Sequence, residues 1–361
     1  MMLWGGVVIS GFVAWWLTGQ LAGARFALSV LDHPNERSLH NRPTPRTGGV
    51  AILAGLLFGL AWMSWGGTPW KGISDLGLLG WPAPVWIVLL TYGIGLVSFV
   101  DDRGGVPVSV RFGIHLLAAT MLVVGAGLRI PALSLPVVGA VDFGWLAVPL
   151  SIGFLVWMTN LYNFMDGMDG FAGGMTVVGG GFLAWFGWSA GLGFLFVTAV
   201  CAVAAAIGFL LHNFPPARIF MGDVGSVSLG FLFGSLMLLG VHDRVFDFWV
   251  PIMLFSPFIV DATVTLIRRS LQGERIWQAH RSHYYQRLVL LGWGHRKTVL
   301  AEYGLMVLCG LLAWGYHMAD VWTRWVVLGF WGVVVGLAML GVHQAEQRVL
   351  PARRDAGHAG L

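Results

Sequence analysis

WLAVPLSIGFLVWMTNLYNFMDGMDG, residues 145–170, sets an uncharged apolar run against a cluster of carboxylates and carboxamides. Residues 145–159 have the composition of a segment lying in lipid. NLYNFMDGMDG (160–170) then brings Asn160, Asn163, Asp166 and Asp169 together with no Lys or Arg among them. Asp166 and Asp169 are three apart, so on a helical turn they share a face. Like charges placed so closely ask for a cation from elsewhere. Gly167 and Gly170 permit close backbone approach or unusual dihedrals at the same place. The plainer reading is a helix C-terminus with a polar ending.

The rest of the chain settles the surroundings of that cluster. Its 361 residues are 57% hydrophobic and 11% charged, and the mean hydropathy is +0.76. Soluble proteins carry roughly 25% charged residues, so the expected fold class is an all-α polytopic integral membrane protein. Abundant glycine and tryptophan agree, since glycine lets membrane helices approach and Trp favours interfaces. A net charge of +4 in such a chain reports orientation, and nucleic acid is not an expected partner. Cys201 and Cys309 lie in apolar segments, which excludes a disulfide or zinc framework. MMLWGG has no basic residue, so the first apolar stretch reads as a permanent span.

Eleven runs are candidate spans: 3–24, 48–66, 84–100, 110–127, 144–160, 172–190, 192–211, 223–241, 248–267, 298–317 and 322–342. They form one transmembrane domain, 1–361, with a polar loop at 268–297 and a tail at 343–361. With the N-terminus outside, the inner segments hold 17 of the 21 Lys and Arg residues. That bias predicts a cytoplasmic C-terminus. DHPNERSLHNRPTPRTGG (32–49), DDRGG (101–105), NLYNFMDGMDG, HNFPPARIFMGD (212–223) and RRSLQGERIWQAHRSHYYQRL (268–288) then share the cytoplasmic face. One composite site is the simplest account of that sorting.

Asp101 and Asp102 suit a divalent cation or proton acceptance, or are a solvated helix end. FMGDVGS (220–226) puts Asp223 and Ser226 at the start of a span, where backbone N–H groups favour phosphate; a simple Asp N-cap is the alternative. HRSHYYQRL (280–288) offers His280, Arg281, His283 and Arg287, which suit a phosphate, a pyrophosphate or an anionic lipid surface. Arg37, His40, Arg42 and Arg46 hold an anionic substrate or merely set topology. Asp261 lies inside the ninth run, where an ionisable residue is a functional candidate or a partner for Arg268. Together these parts suggest phosphoryl transfer beside lipid, with Mg²⁺ held by acidic and amide oxygens.

The ordered motif set resembles the polyprenyl-phosphate N-acetylhexosamine-1-phosphate transferases, and the resemblance runs from Asp32 to about Arg287. It implies transfer of a sugar 1-phosphate from a UDP-N-acetylhexosamine to undecaprenyl phosphate, releasing UMP, in the bacterial inner membrane. It implies Mg²⁺, with Mn²⁺ as a substitute, on Asn163 and Asp223. Asp101 and Asp102 match the pair near metal and lipid phosphate. His280, His283 and Arg287 match residues engaging the pyrophosphate or sugar. Asp169 and Phe220 match the uracil site, and Arg42 faces the nucleotide. Asp166, Asn213 and Arg281 are grouped with the substrate-facing residues, although Asp166 is equally a tuner of the metal or a holder of the turn. A homodimer is left open.

HRSH departs from the consecutive histidines of the peptidoglycan branch, the phospho-MurNAc-pentapeptide transferases. It looks most like the group that initiates O-antigen synthesis. A transporter and a structural scaffold are the readings from other classes.

Overall fold

The structure is a computed structural model describing residues 2–23, 30–34, 39, 42–65, 77, 80–135, 138–275 and 280–358. The sequence candidates Arg37 and His40 lie outside the described residues.

The chain is a helical membrane bundle. Helices α1 (Met2–Ala22), α2 (Gly48–Trp65), α3 (Ala83–Gly104), α4 (Val108–Gly125) and α5 (Ala147–Met165) come first. They are followed by α6 (Phe171–Ser189), α7 (Gly193–Asn213), α8 (Gly222–His242), α9 (Trp249–Leu254) and α10 (Ser256–Leu271). The short α11 (Tyr284–Leu288) leads through a π turn at 289–293 into α12 (Gly294–Met318), and α13 (Val321–His358) closes the chain. Two small antiparallel pairs decorate the ends: β1 (Leu31–Asp32) with β2 (Thr44–Pro45), and β3 (Ala132–Leu135) with β4 (Gly139–Asp142).

Among the described residues, nine helices are long and apolar enough to cross a membrane. The other two candidate spans take different forms. α6 spans about 28 Å at 1.5 Å per residue and carries six glycines in its 19 residues. The weak break before α7 is real: Gly191 turns the chain at φ 69°.

The run 248–267 is not one continuous helix. It divides at Phe255 into α9 and the amphipathic α10. Pro257 at the start of α10 has no N–H to continue the earlier ladder, which explains the break. Residues 343–358 prolong the last helix.

α8 is the hub of the bundle, buried from Val224 to Val241 and packed by α2, α3 and α5. Its first turn lies against that of α2. A Cβ on Gly49 would stand 2.1 Å from the Gly225 nitrogen, so only glycine permits the approach. Backbone bonds lock the contact: Gly48 N–H donates to Phe220 O at 2.9 Å and Gly49 N–H to Met221 O at 2.7 Å. This seam carries the FMGDVGS motif to the same end of the bundle as the C-termini of α3 and α5.

Candidate active site

Asp101 and Asp102 end α3, just before the chain turns at Gly105. Both are buried. Arg111, in the first turn of α4, donates through Nη1 to Asp101 Oδ2 at 2.8 Å and to Asp223 Oδ2 at 3.1 Å. Arg46 Nε lies 3.4 Å from Asp102 Oδ1, and its Nη2 donates to the Asp102 carbonyl at 2.7 Å. The Val224 N–H donates to Asp102 Oδ2 at 3.4 Å, so the start of α8 faces this carboxylate.

Gly222 makes that geometry possible. It sits at φ 70°, and a Cβ there would stand 2.0 Å from the Arg46 carbonyl oxygen. Asn163, in the last turn of α5, donates through Nδ2 to Asp223 Oδ1 at 2.9 Å and to Ser226 Oγ at 3.1 Å. Asp166 follows as the C-cap of α5. Burial, and then the charges of Asp223 and Asp102, push its carboxyl well above the ordinary carboxylate range.

A second arm comes from HRSHYYQRL. Asp261, in α10, does not pair with Arg268 here. Its Oδ1 accepts from Tyr284 N–H at 2.9 Å, faces His283 Nδ1 at 3.2 Å and accepts from Thr265 Oγ1 at 3.1 Å. Its Oδ2 accepts from Tyr285 N–H at 3.2 Å. This one buried carboxylate thus caps α11 and orients the His283 ring. His280 Nδ1 pairs with Ser282 Oγ at 2.8 Å, and the two imidazoles lie 4.8 Å apart. Both Nδ1 atoms are thus engaged, and both rings line one cavity.

A cavity of about 600 Å³ joins the two arms. Asp101, Arg111, Asn163, Asp223, His280 and His283 give it a polar end. Ile94, Val97, Val108, Phe112, Val156 and Trp157 give it an apolar wall. It is suited to an amphiphile whose head is anionic and whose tail is hydrocarbon.

The remaining sequence candidates do not line this cavity. Asp169 Oδ2 accepts from Ala217 N–H at 2.9 Å, and its Oδ1 meets His295 Nδ1 at 3.1 Å. Buried Asn213 accepts from Gly170 N–H and donates to Ile219 O, both at 2.8 Å. Its carboxamide therefore ties the 212–219 turn to the end of the MDGMDG segment. Phe220 is half-buried, and its N–H donates to Pro45 O at 2.7 Å. Arg42 and Arg281 are exposed. Arg287 is buried and turned toward α13, where its Nε donates to Glu346 Oε1 at 3.0 Å.

Arg111 is the site residue that sequence reasoning missed, having counted it only toward orientation. Its signal was an arginine inside an otherwise apolar run, ten residues after Asp101. His295 and Glu346 gave no comparable signal, because nothing near them in sequence marks a site.

His280 carries a pH prediction. Burial, then the neighbouring His283 and Arg269, lowers its pKa to about 4. It is expected to stay neutral throughout the physiological range. Between an unfolded value of about 6.5 and that lowered value, the unfolded chain binds the proton first. The stability contribution is therefore complete above the upper limit and is lost as pH falls toward the lower one. Titration of the ring nitrogens by ¹⁵N NMR checks this, and a midpoint near 6.5 contradicts it.

Membrane helices, clustered carboxylates and a cavity with one polar end and one apolar wall describe a membrane-embedded site for an amphiphile. Comparison with known proteins gives the family. The glycosyl transferase family 4 model matches residues 85–241. The chain is 32% identical over 304 residues to a probable undecaprenyl-phosphate N-acetylglucosaminyl 1-phosphate transferase of Bacillus subtilis, covering 83% of this chain and 81% of that one. It is 29% identical over 332 residues to a decaprenyl-phosphate N-acetylglucosaminephosphotransferase of Mycobacterium tuberculosis H37Rv, covering 85% and 80%. It is 31% identical over 319 residues to a phospho-N-acetylmuramoyl-pentapeptide-transferase of a Synechococcus species, covering 82% and 84%. The chain belongs to the polyprenyl-phosphate N-acetylhexosamine-1-phosphate transferases of glycosyl transferase family 4.

Proposed function

We propose that the protein transfers N-acetylhexosamine 1-phosphate from a UDP-sugar to undecaprenyl phosphate, releasing UMP. The product is a polyprenyl-pyrophosphate-linked sugar, and HRSH favours the step that begins O-antigen synthesis. The observation that carries this reading is the cavity whose apolar wall ends on Asp101, Arg111 and Asp223. There a lipid phosphate has a cation to meet, and its chain has a hydrocarbon-like surface. Eleven crossings, an external N-terminus and a bacterial inner-membrane location belong to the same proposal, through the one-sided distribution of Lys and Arg.

The donor set fits Mg²⁺. Asp223 and Asn163 are adjacent at 2.9 Å. With a cation between them, the Asn163 carboxamide would turn over to present its oxygen, since its amide nitrogen cannot ligate one. Mg²⁺ takes one or two carboxylates and completes its shell with water and phosphate. When bound, the ion neutralises phosphate charge.

The chain's own residues supply the rest. Arg111 bridges Asp101 and Asp223 and presents a guanidinium to the lipid phosphate. An oxygen of that phosphate attacks the sugar-bearing phosphorus, and the bond to the bridging oxygen breaks. UMP leaves with that electron pair. A phosphomonoester with a second pKa of about 6 is already largely dianionic at neutral pH, so it needs no base: Asp101 orients the nucleophile through Arg111, and Asp102 backs the site through Arg46. His280, whose Nδ1 accepts from the Ser282 N–H, donates from Nε2 to the departing or sugar-side phosphate, and His283 stands beside it with its Nδ1–H given to Asp261. By the resemblance, Asp169 and Phe220 receive the uracil and Arg42 faces the nucleotide, outside this cavity.

A panel of UDP-GlcNAc, UDP-GalNAc, deoxy-aminosugar nucleotides and UDP-MurNAc-pentapeptide, with purified protein and undecaprenyl phosphate, tests the donor. Release of UMP from an N-acetylhexosamine donor is expected. Turnover of the pentapeptide donor alone would replace this branch with the peptidoglycan one. A transporter reading calls for ionisable groups near the bilayer midplane, whereas these carboxylates stand together at helix ends.

A further inference from the structure

α11 has only five residues, Tyr284–Leu288. A helix that short does not hold itself together. Asp261 grips its first turn, and a second grip comes from the far end of the chain. Arg287 Nε donates to Glu346 Oε1 at 3.0 Å, and Nη2 donates to Oε2. The guanidinium also lies over the Tyr284 ring, 4.7 Å from its centroid. A carboxylate meeting two N–H groups of one guanidinium is the strong, planar form of the pair. The Arg287 side chain is only 6% exposed. His280, His283 and Gln286 line the cavity, and Arg287 does not.

We propose that Glu346 is a positioning residue. Through Arg287 it fixes the orientation of α11, and with it the two imidazoles at the cavity. Arg287 is then a strut and not a pyrophosphate contact, and the end of α13 is part of the catalytic apparatus. The inference rests on the transferase reading above.

The test uses the full chain in lipid nanodiscs, following UMP release. Glu346→Ala is expected to lower kcat about tenfold while the KM for the UDP-sugar stays within about twofold. Glu346→Asp should recover most of the loss. Arg287→Glu combined with Glu346→Arg should regain several-fold over either single change, because a strut works in both directions. A direct pyrophosphate contact predicts the opposite: the swap stays as inactive as Arg287→Glu, and Arg287→Lys raises KM.

If the swap fails to fold, Glu346→Ala decides alone, and wild-type kcat in that variant overturns the proposal. Wild-type protein that releases no UMP from any donor overturns the transferase reading instead. The strut is then read from a double-mutant cycle in thermal stability with Arg287→Ala and Glu346→Ala, where zero coupling overturns it.

Discussion

Asp223→Asn is expected to lower kcat about a thousandfold, or about 4 kcal/mol at 1.36 kcal/mol per decade. Asp223 is where the two halves of the site meet. Its Oδ1 faces Asn163 and its Oδ2 faces Arg111. Asparagine keeps the shape but removes the charge that pairs with Arg111 and would hold Mg²⁺. The fold should survive, because Asp223 is half-buried at a helix start and its charge is one of those that oppose ionisation of Asp166. Circular dichroism should be unchanged and UMP release nearly abolished. A variant keeping more than about a tenth of wild-type kcat would remove Asp223 from the reacting centre.

Asp261→Asn is the second large effect, and it acts at a distance. The carboxylate receives the N–H groups of Tyr284 and Tyr285, the Thr265 hydroxyl and the His283 ring. An amide has one acceptor oxygen and brings two donors of its own. At least one buried donor then loses its partner, at about 1–3 kcal/mol. We expect a lower melting temperature together with a fall in kcat of about a hundredfold, as His283 loses its orientation. Asp261→Glu should not rescue, since the longer side chain displaces the same backbone donors. Normal activity in Asp261→Asn would mean that the HRSH segment is positioned by other contacts.

Much of this was readable in the residues because lipid imposes a coarse code. Charged groups are costly in hydrocarbon, so polar motifs mark helix ends, and their sorting to one side pointed to one site. DDRGG, NLYNFMDGMDG and FMGDVGS do converge at one end of the bundle. What was not legible is which partner each side chain takes. Arg111 looked like an orientation charge, yet it bridges carboxylates on two other helices. Asn213 looked substrate-facing, yet its amide is spent within the fold. Arg287 looked like an anion binder, yet its partner stands 59 residues later in a stretch read as a tail. The broken α9–α10 helix was hidden for a simpler reason. Hydropathy averages over Phe255 and Pro257, whereas the missing proline N–H acts at a single position.

The central claim is that the sugar leaves with its phosphate. The most direct measurement gives purified protein in nanodiscs undecaprenyl phosphate, Mg²⁺ and UDP-N-acetylhexosamine labelled with ³²P in the β-phosphate. The label should pass into the lipid fraction in equal amount to UMP released, and Asp223→Asn should abolish both. Label that remains in UDP while the sugar reaches the lipid, or that does not move with any donor, would contradict the account.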